Sequence, residues 1–121
     1  MSKKNVVYYI NADGSNPVLK EINNLSFKDK QKIMAYVSLL EETGEGLRRP
    51  VADYVGDKLY ELRPKLHRVL YFFMLKDYAI IVHCFRKKTD KLPAYEKEIA
   101  LKRRQDFLER YQNGFIKMGV K

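Results

Sequence analysis

Cations and aromatic rings gather between residues 60 and 95 of this 121-residue chain. Arg63 closes one β-like run, Lys65 lies in the turn after it, and His67 and Arg68 open the next run. Arg86, Lys87 and Lys88 close a third run, and Tyr95 follows at the start of a helical segment. Guanidinium and ammonium groups grip phosphate, and tyrosine or phenylalanine rings stack on splayed bases. Cleavage of RNA through its own 2′-OH requires a group to take the hydroxyl proton, cations to neutralise the pentavalent phosphate and an acid for the 5′-oxygen. None of these has to be a metal. The pattern points to a surface that binds or cuts RNA.

Other chemistries find less support. His67, His83 and Cys84 are the soft ligands, and no spaced carboxylates join them. His83 and Cys84 are adjacent on a strand and so face opposite ways. Ser15, Ser26 and Ser38 lack a nucleophile-elbow context, and no glycine-rich phosphate loop is present. The same cationic and aromatic residues also have ordinary structural roles open to them. Arg68 can pair with Glu61 or Asp77, and His83 on an apolar strand reads as a hydrogen-bonded core histidine. Tyr71, Phe72, Phe73 and Cys84 read as core, and Lys87 and Lys88 as a solvated strand end.

The net charge sharpens the choice. The chain carries 24 Lys and Arg against 15 Asp and Glu, a formal +9. Residues 1–57 hold eight of each sign and are neutral, so the whole excess falls after residue 57. A one-sided excess suggests a face built for a polyanion. One cysteine excludes an intramolecular disulfide framework and suits a reducing compartment. The first apolar run stops at Ile10, too short for a signal peptide or a membrane span. A cytoplasmic protein is the expectation.

The elements that must position these groups read as β-α-α-β-β-β-α. Asn5–Ile10 is β-branched and aromatic, ending at an Asn-Ala-Asp-Gly turn. Pro17 opens a short helix. Ser26, with Asp29 three residues on, opens a second, whose Ile33, Met34, Val37 and Leu40 form an apolar stripe ending at Gly44. Gly44–Asp57 reads as loop. Strands are expected over Lys58–Arg63, His67–Leu75 and from Tyr78 to Phe85 or Arg86, with Lys76-Asp77 as a hairpin turn. Pro93 opens a long helix to about Tyr111, and the last residues read as a frayed tail. The fold class is α+β: a helical hairpin on a small, mostly antiparallel sheet, with a C-terminal helix. One domain over residues 1–121, with its core at about 5–111, fits the length.

Three stretches carry a family resemblance: Leu59-Tyr60-Glu61-Leu62-Arg63, His67-Arg68-Val69-Leu70-Tyr71-Phe72-Phe73, and His83-Cys84-Phe85-Arg86-Lys87-Lys88-Thr89. With Pro93, Glu96, Glu98, Ala100 and Arg103 behind them, they resemble the phage-derived, HigB-like branch of the RelE/ParE toxin superfamily. Leu92 stands where that family usually has a small hydroxyl residue. The resemblance implies a RelE-like fold and a type II toxin that cuts mRNA in the ribosomal A site, without metal or cofactor, through a 2′,3′-cyclic phosphate. It also implies silencing by a cognate antitoxin, commonly a helix-turn-helix protein, with operator DNA contacted only through that partner and no membrane involved. By the same resemblance Arg68 and Arg63 sit at the scissile phosphate, and Lys87 and Lys88 bind backbone beside Lys65 and Arg86. Tyr95 or His67 assists proton transfer. Two rivals share the fold: a gyrase-poisoning toxin without a phosphate pocket, and an inactive phage or host binding module.

Overall fold

A computed structural model describes residues 3–118. Its elements are β1 (Asn5–Tyr8), α1 (Pro17–Asn23), α2 (Phe27–Thr43), β2 (Ala52–Gly56), β3 (Leu59–Leu62), β4 (His67–Met74), β5 (Tyr78–Arg86) and α3 (Ala94–Gln112). A 3₁₀ turn, Gly44–Gly46, follows α2. The sheet order is β1-β5-β4-β3-β2, with β1 parallel to β5 and every other pair antiparallel. This is an α+β fold on a mixed sheet.

Local chemistry starts and stops the helices as expected. The Asn16 side chain accepts from the Leu19 N–H at 3.0 Å, with Pro17 in the first turn, and Ser26 Oγ accepts from the Asp29 N–H at 3.2 Å. Gly44 ends α2 at φ 64°, in the left-handed region that glycine adopts without strain. Ile33, Val37 and Leu40 are buried at helical spacing, but Met34 belongs to the neighbouring, exposed face rather than the core stripe. The α3 helix has no side-chain cap, since Leu92 and Pro93 offer none.

The sequence expectation misses one strand. Residues 44–57 do not form a loop throughout, because Ala52–Gly56 is the edge strand β2, paired with β3 and bulged between Tyr54 and Gly56. Gly56 and the polar Asp53 hide the alternation there. The strand β1 also ends two residues early, at Tyr8, although the Tyr9 N–H still reaches the Ile81 carbonyl at 2.8 Å. The β4–β5 turn uses Leu75, Lys76 and Asp77, with Leu75 and Lys76 at φ 53° and 64° despite the lack of glycine.

The sheet is covered on both faces. Val18, Ile22, Ile33, Val37 and Leu40 of the hairpin meet Val69, Tyr71, Ile81 and Cys84 on one side. Ala100 and Phe107 of α3 meet Leu59, Leu70, Phe72, Ile80 and Phe85 on the other. Ile116 and Met118 pack on that second cluster, so the described part of the tail is docked rather than frayed; residues 119–121 lie outside the described residues.

An irregularity within β5 changes which face its side chains take. Leu70 pairs with His83 but Tyr71 with Ile81, leaving Val82 as an extra residue in β5. The bulge resets the alternation, so Val82 and His83 both serve the α3 face.

Candidate functional site

Register builds the site. Glu61, Leu70 and His83 form one row across β3, β4 and β5, and Arg68 and Phe85 begin the next, with Arg63 immediately beyond β3. Strand neighbours lie about 4.8 Å apart, so side chains in such rows touch. All of these residues look toward α3. Above them the segment after β5 folds over, and Glu61, Arg68, Phe85, Lys87 and residues 89–93 enclose a small recess of about 10 Å³, room for a single oxygen-sized group.

Arg68 is 6% exposed, and its guanidinium works along two edges. Nη1 donates to the Lys65 carbonyl at 3.1 Å and to the His67 carbonyl at 2.8 Å, which clamps it to the turn. Nε stands 3.9 Å from Glu61 Oε1, an ion pair too long to be a hydrogen bond. Among the described residues no hydrogen bond engages Nε or Nη2, and neither atom is sealed from solvent. A nearly buried arginine therefore presents a free fork to the recess. Burial and the neighbouring Arg63 pull its pKa below the ordinary arginine value while Glu61 pulls it back, and it remains a cation.

Glu61 completes the cluster. It is 5% exposed and its Oε2 accepts from Arg63 Nη1, so one carboxylate serves two guanidiniums. At the rim Lys87 Nζ pairs with Asp90 at 3.1 Å, and that hydrogen bond holds the Asp90 carboxyl below the usual range.

The other expected residues are placed differently. His67 does not share the recess with Arg68: adjacent strand residues face opposite sides, and His67 is 3% exposed beneath the helical hairpin. Its Nε2 is the one buried side-chain polar atom without a hydrogen-bond partner among the described residues. Burial pushes its pKa down, with Arg86 acting in the same direction and Asp29 opposing. Arg86, its cross-strand partner, lies on the hairpin side and not in the recess. Lys65 contributes a backbone carbonyl, its side chain being exposed. Lys88 is exposed beyond β5, and Tyr95 is 57% exposed on the first turn of α3, outside the recess lining.

Residue patterns alone overlooked a second cluster. His83 Nε2 lies 2.5 Å from Glu96 Oε1, and Arg103 Nη1 lies 3.3 Å from His83 Nδ1 and 2.9 Å from the Val82 carbonyl. His83 also stacks on Phe85, 5.3 Å between centroids, which joins this cluster to the recess. Glu96 and Arg103 are seven apart on one helix, a spacing that puts them on one face. That was the available signal. The hydrogen-bonded core reading of His83 holds.

Several cations of the basic half hold α3 in place. Lys97 pairs with Asp57 at 2.9 Å and donates to the Val55 carbonyl at 3.0 Å, and Arg104 reaches the Asp57 carbonyl. Arg110 donates to the Ile10 carbonyl and is steadied by Asp106 of its own helix at 2.7 Å. Among the described residues no three His, Cys, Asp or Glu side chains gather as a metal-binding group. No described helix is long and apolar enough to cross a membrane.

A model of the family described as phage derived protein Gp49-like (DUF891) matches residues 20–105. The chain belongs to that family. The Gp49-like match takes in α2 and strands β2 to β5, and ends within α3 just past Arg103 and Arg104. Every recess residue and the whole His83 cluster therefore lie inside the Gp49-like region, whereas β1, Ile116 and Met118 lie outside it. No curated protein matches the chain.

Proposed function

We propose that this Gp49-like protein is the toxin of a type II toxin–antitoxin system, a HigB-like member of the RelE superfamily that cuts mRNA on the ribosome. The observation carrying this reading is the Arg68 guanidinium, clamped along one edge and open along the other in a recess it lines with Lys87, while Arg63 holds the same Glu61 from the strand end. That is the geometry for gripping one phosphodiester. The one-sided charge supports docking on ribosomal RNA, with an affinity that falls as salt rises.

In this mechanism the 2′-oxygen attacks phosphorus, the bond to the 5′-oxygen breaks, and the products are a 2′,3′-cyclic phosphate and a 5′-hydroxyl. Arg68 and Arg63 neutralise the phosphorane, a contribution worth about 10²–10³ in rate for such a donor. Lys87, Lys88 and Lys65 hold the backbone on either side. Tyr95, exposed at the mouth of α3, stacks on a base or relays a proton. His67, sealed on the far face, does neither. The cognate antitoxin silences the toxin and alone contacts operator DNA, and the work is done in the cytoplasm.

The test is mRNA cleavage on translating ribosomes with wild type, Arg68→Ala and Arg68→Lys. Wild type cuts, and both variants lose about a hundredfold or more, since lysine keeps the charge but not the fork. Uncut mRNA with wild type, or normal cutting by Arg68→Lys, overturns the assignment. Inhibition of gyrase supercoiling instead would transfer the protein to the gyrase-poisoning arm of the superfamily.

A further inference from the structure

We propose that Glu61 is a built-in anion that holds the Arg63–Arg68 pair in the free protein and gives up part of that hold to the RNA phosphate. This rests on the reading of the recess as a phosphate site. The carboxylate is 5% exposed and sits between two guanidiniums, accepting from Arg63 through Oε2 and pairing loosely with Arg68 through Oε1 at 3.9 Å.

The arrangement solves two problems. Two guanidiniums drawn to one nearly buried carboxylate repel each other, and an uncompensated buried charge is costly. Glu61 offsets both. Two residues before Arg63, which continues the extended course of β3, it also shares that side chain's face, so the pairing follows from strand geometry.

The second contact is the informative one. A closed, bidentate Arg68–Glu61 pair would be a finished structural salt bridge with nothing left to bind. Here the gap exceeds hydrogen-bond length, Nη1 is occupied by two carbonyls, and Nε and Nη2 remain open to the recess. A phosphate oxygen takes those two donors without breaking the Arg63 pair. Glu61 thus acts as a positioning residue: it aligns the arginines and weakens ground-state binding of any anion.

The experiment measures binding of a non-cleavable 2′-O-methyl RNA oligonucleotide as a function of salt, alongside cleavage at saturating mRNA. The proteins are wild type, Glu61→Gln and Glu109→Gln. The last removes the same charge from α3 thirteen residues beyond Glu96, about 20 Å along the helix. Glu61→Gln is expected to bind the oligonucleotide about tenfold tighter, as one close opposing charge is removed. Its salt slope steepens by about 0.7, the value of one extra single-strand phosphate contact. Its turnover falls about tenfold because the arginines lose alignment.

Equal tightening by Glu61→Gln and Glu109→Gln, or no tightening by Glu61→Gln, overturns the proposal. Tighter binding by Glu61→Gln in a protein whose wild type never cuts RNA sustains the anion role and sinks only the nuclease reading. Should Glu61→Gln not fold, Glu61→Asp decides. It keeps the charge on a shorter arm, so the wild-type salt slope must persist while turnover falls, and a steeper slope or full turnover overturns the proposal.

Discussion

Arg103 donates a hydrogen bond to His83, with Nη1 and Nδ1 3.3 Å apart. An arginine has no acceptor, so His83 Nδ1 must carry its lone pair and Nε2 its proton. That proton points at Glu96 Oε1, 2.5 Å away. The pair fixes the tautomer, and the tautomer ties the first turn of α3 to β5 beside the recess.

Stability should therefore fall in mild acid. Burial pushes the His83 pKa down; Glu96 and, across the sheet, Glu21 oppose this, while Arg103 adds to it. His67 shifts the same way. Below about pH 6.5 the unfolded chain binds protons that these folded-state histidines refuse, so stability is full above that pH and drops as pH falls through it. Each histidine contributes at most about 1.4 kcal/mol per pH unit. Urea denaturation from pH 8 to pH 5 measures the slope, and His83→Gln should flatten part of it. A flat wild-type profile would refute the tautomer assignment's energetic role.

His67→Leu should leave RNA cleavage intact and cost less than about 1 kcal/mol, or stabilise. Its Nε2 is already an unpartnered buried atom, and replacing such a group by an apolar one of similar size removes a desolvation penalty. Cleavage assays and denaturation curves of the one variant check both statements. A hundredfold loss of cleavage in a folded protein would return His67 to the catalytic set.

Cys84 should resist thiol reagents until the protein unfolds. It is 2% exposed in the core under the helical hairpin, and burial pushes its thiol up to about 12. Reactivity follows thiolate and access, and both are missing at neutral pH. The expected result is labelling in step with urea unfolding, and rapid labelling in native buffer would contradict it.

The two phenylalanines near the chain's end should behave oppositely. Phe107 is 2% exposed and meets Phe72 edge-to-face at 6.3 Å, so Phe107→Ala should cost about 3–5 kcal/mol. Phe115 is 78% exposed, and Phe115→Ala should stay within about 0.5 kcal/mol. Thermal melts of the two variants decide.

Much of the fold was written in the chain. Pro17 and Ser26 begin helices, Gly44 ends one, and the apolar runs of β4 and β5 become the buried middle of the sheet, because capping and periodicity are local chemistry. Arg63 and Arg68 reach the same Glu61 because a short turn leaves two antiparallel strands no other course. The edge strand β2 was illegible: five residues with a glycine at the bulge give too little alternation, and only pairing with β3 makes them a strand.

The sequence by itself determined the α+β layering, the cationic cluster around the strands and the one-sided charge. Only the tertiary structure decided which cations do which work. Local pattern says that Arg68 lies in a strand and that His67 stands beside it, but the side each takes depends on the phase of pairing across four other strands. The Val82 bulge resets that phase within β5 and brings His83 to Glu96 and Arg103. Charges far apart in sequence then sort themselves by what they face. Lys97 fastens α3 to Asp57 and Arg110 fastens it to the Ile10 carbonyl, Arg103 orders His83, and Arg68 keeps an open edge because Lys65 and His67 carbonyls hold the other. Net charge is a sum over the chain, whereas a binding site is set by the few charges whose partners leave them unfinished.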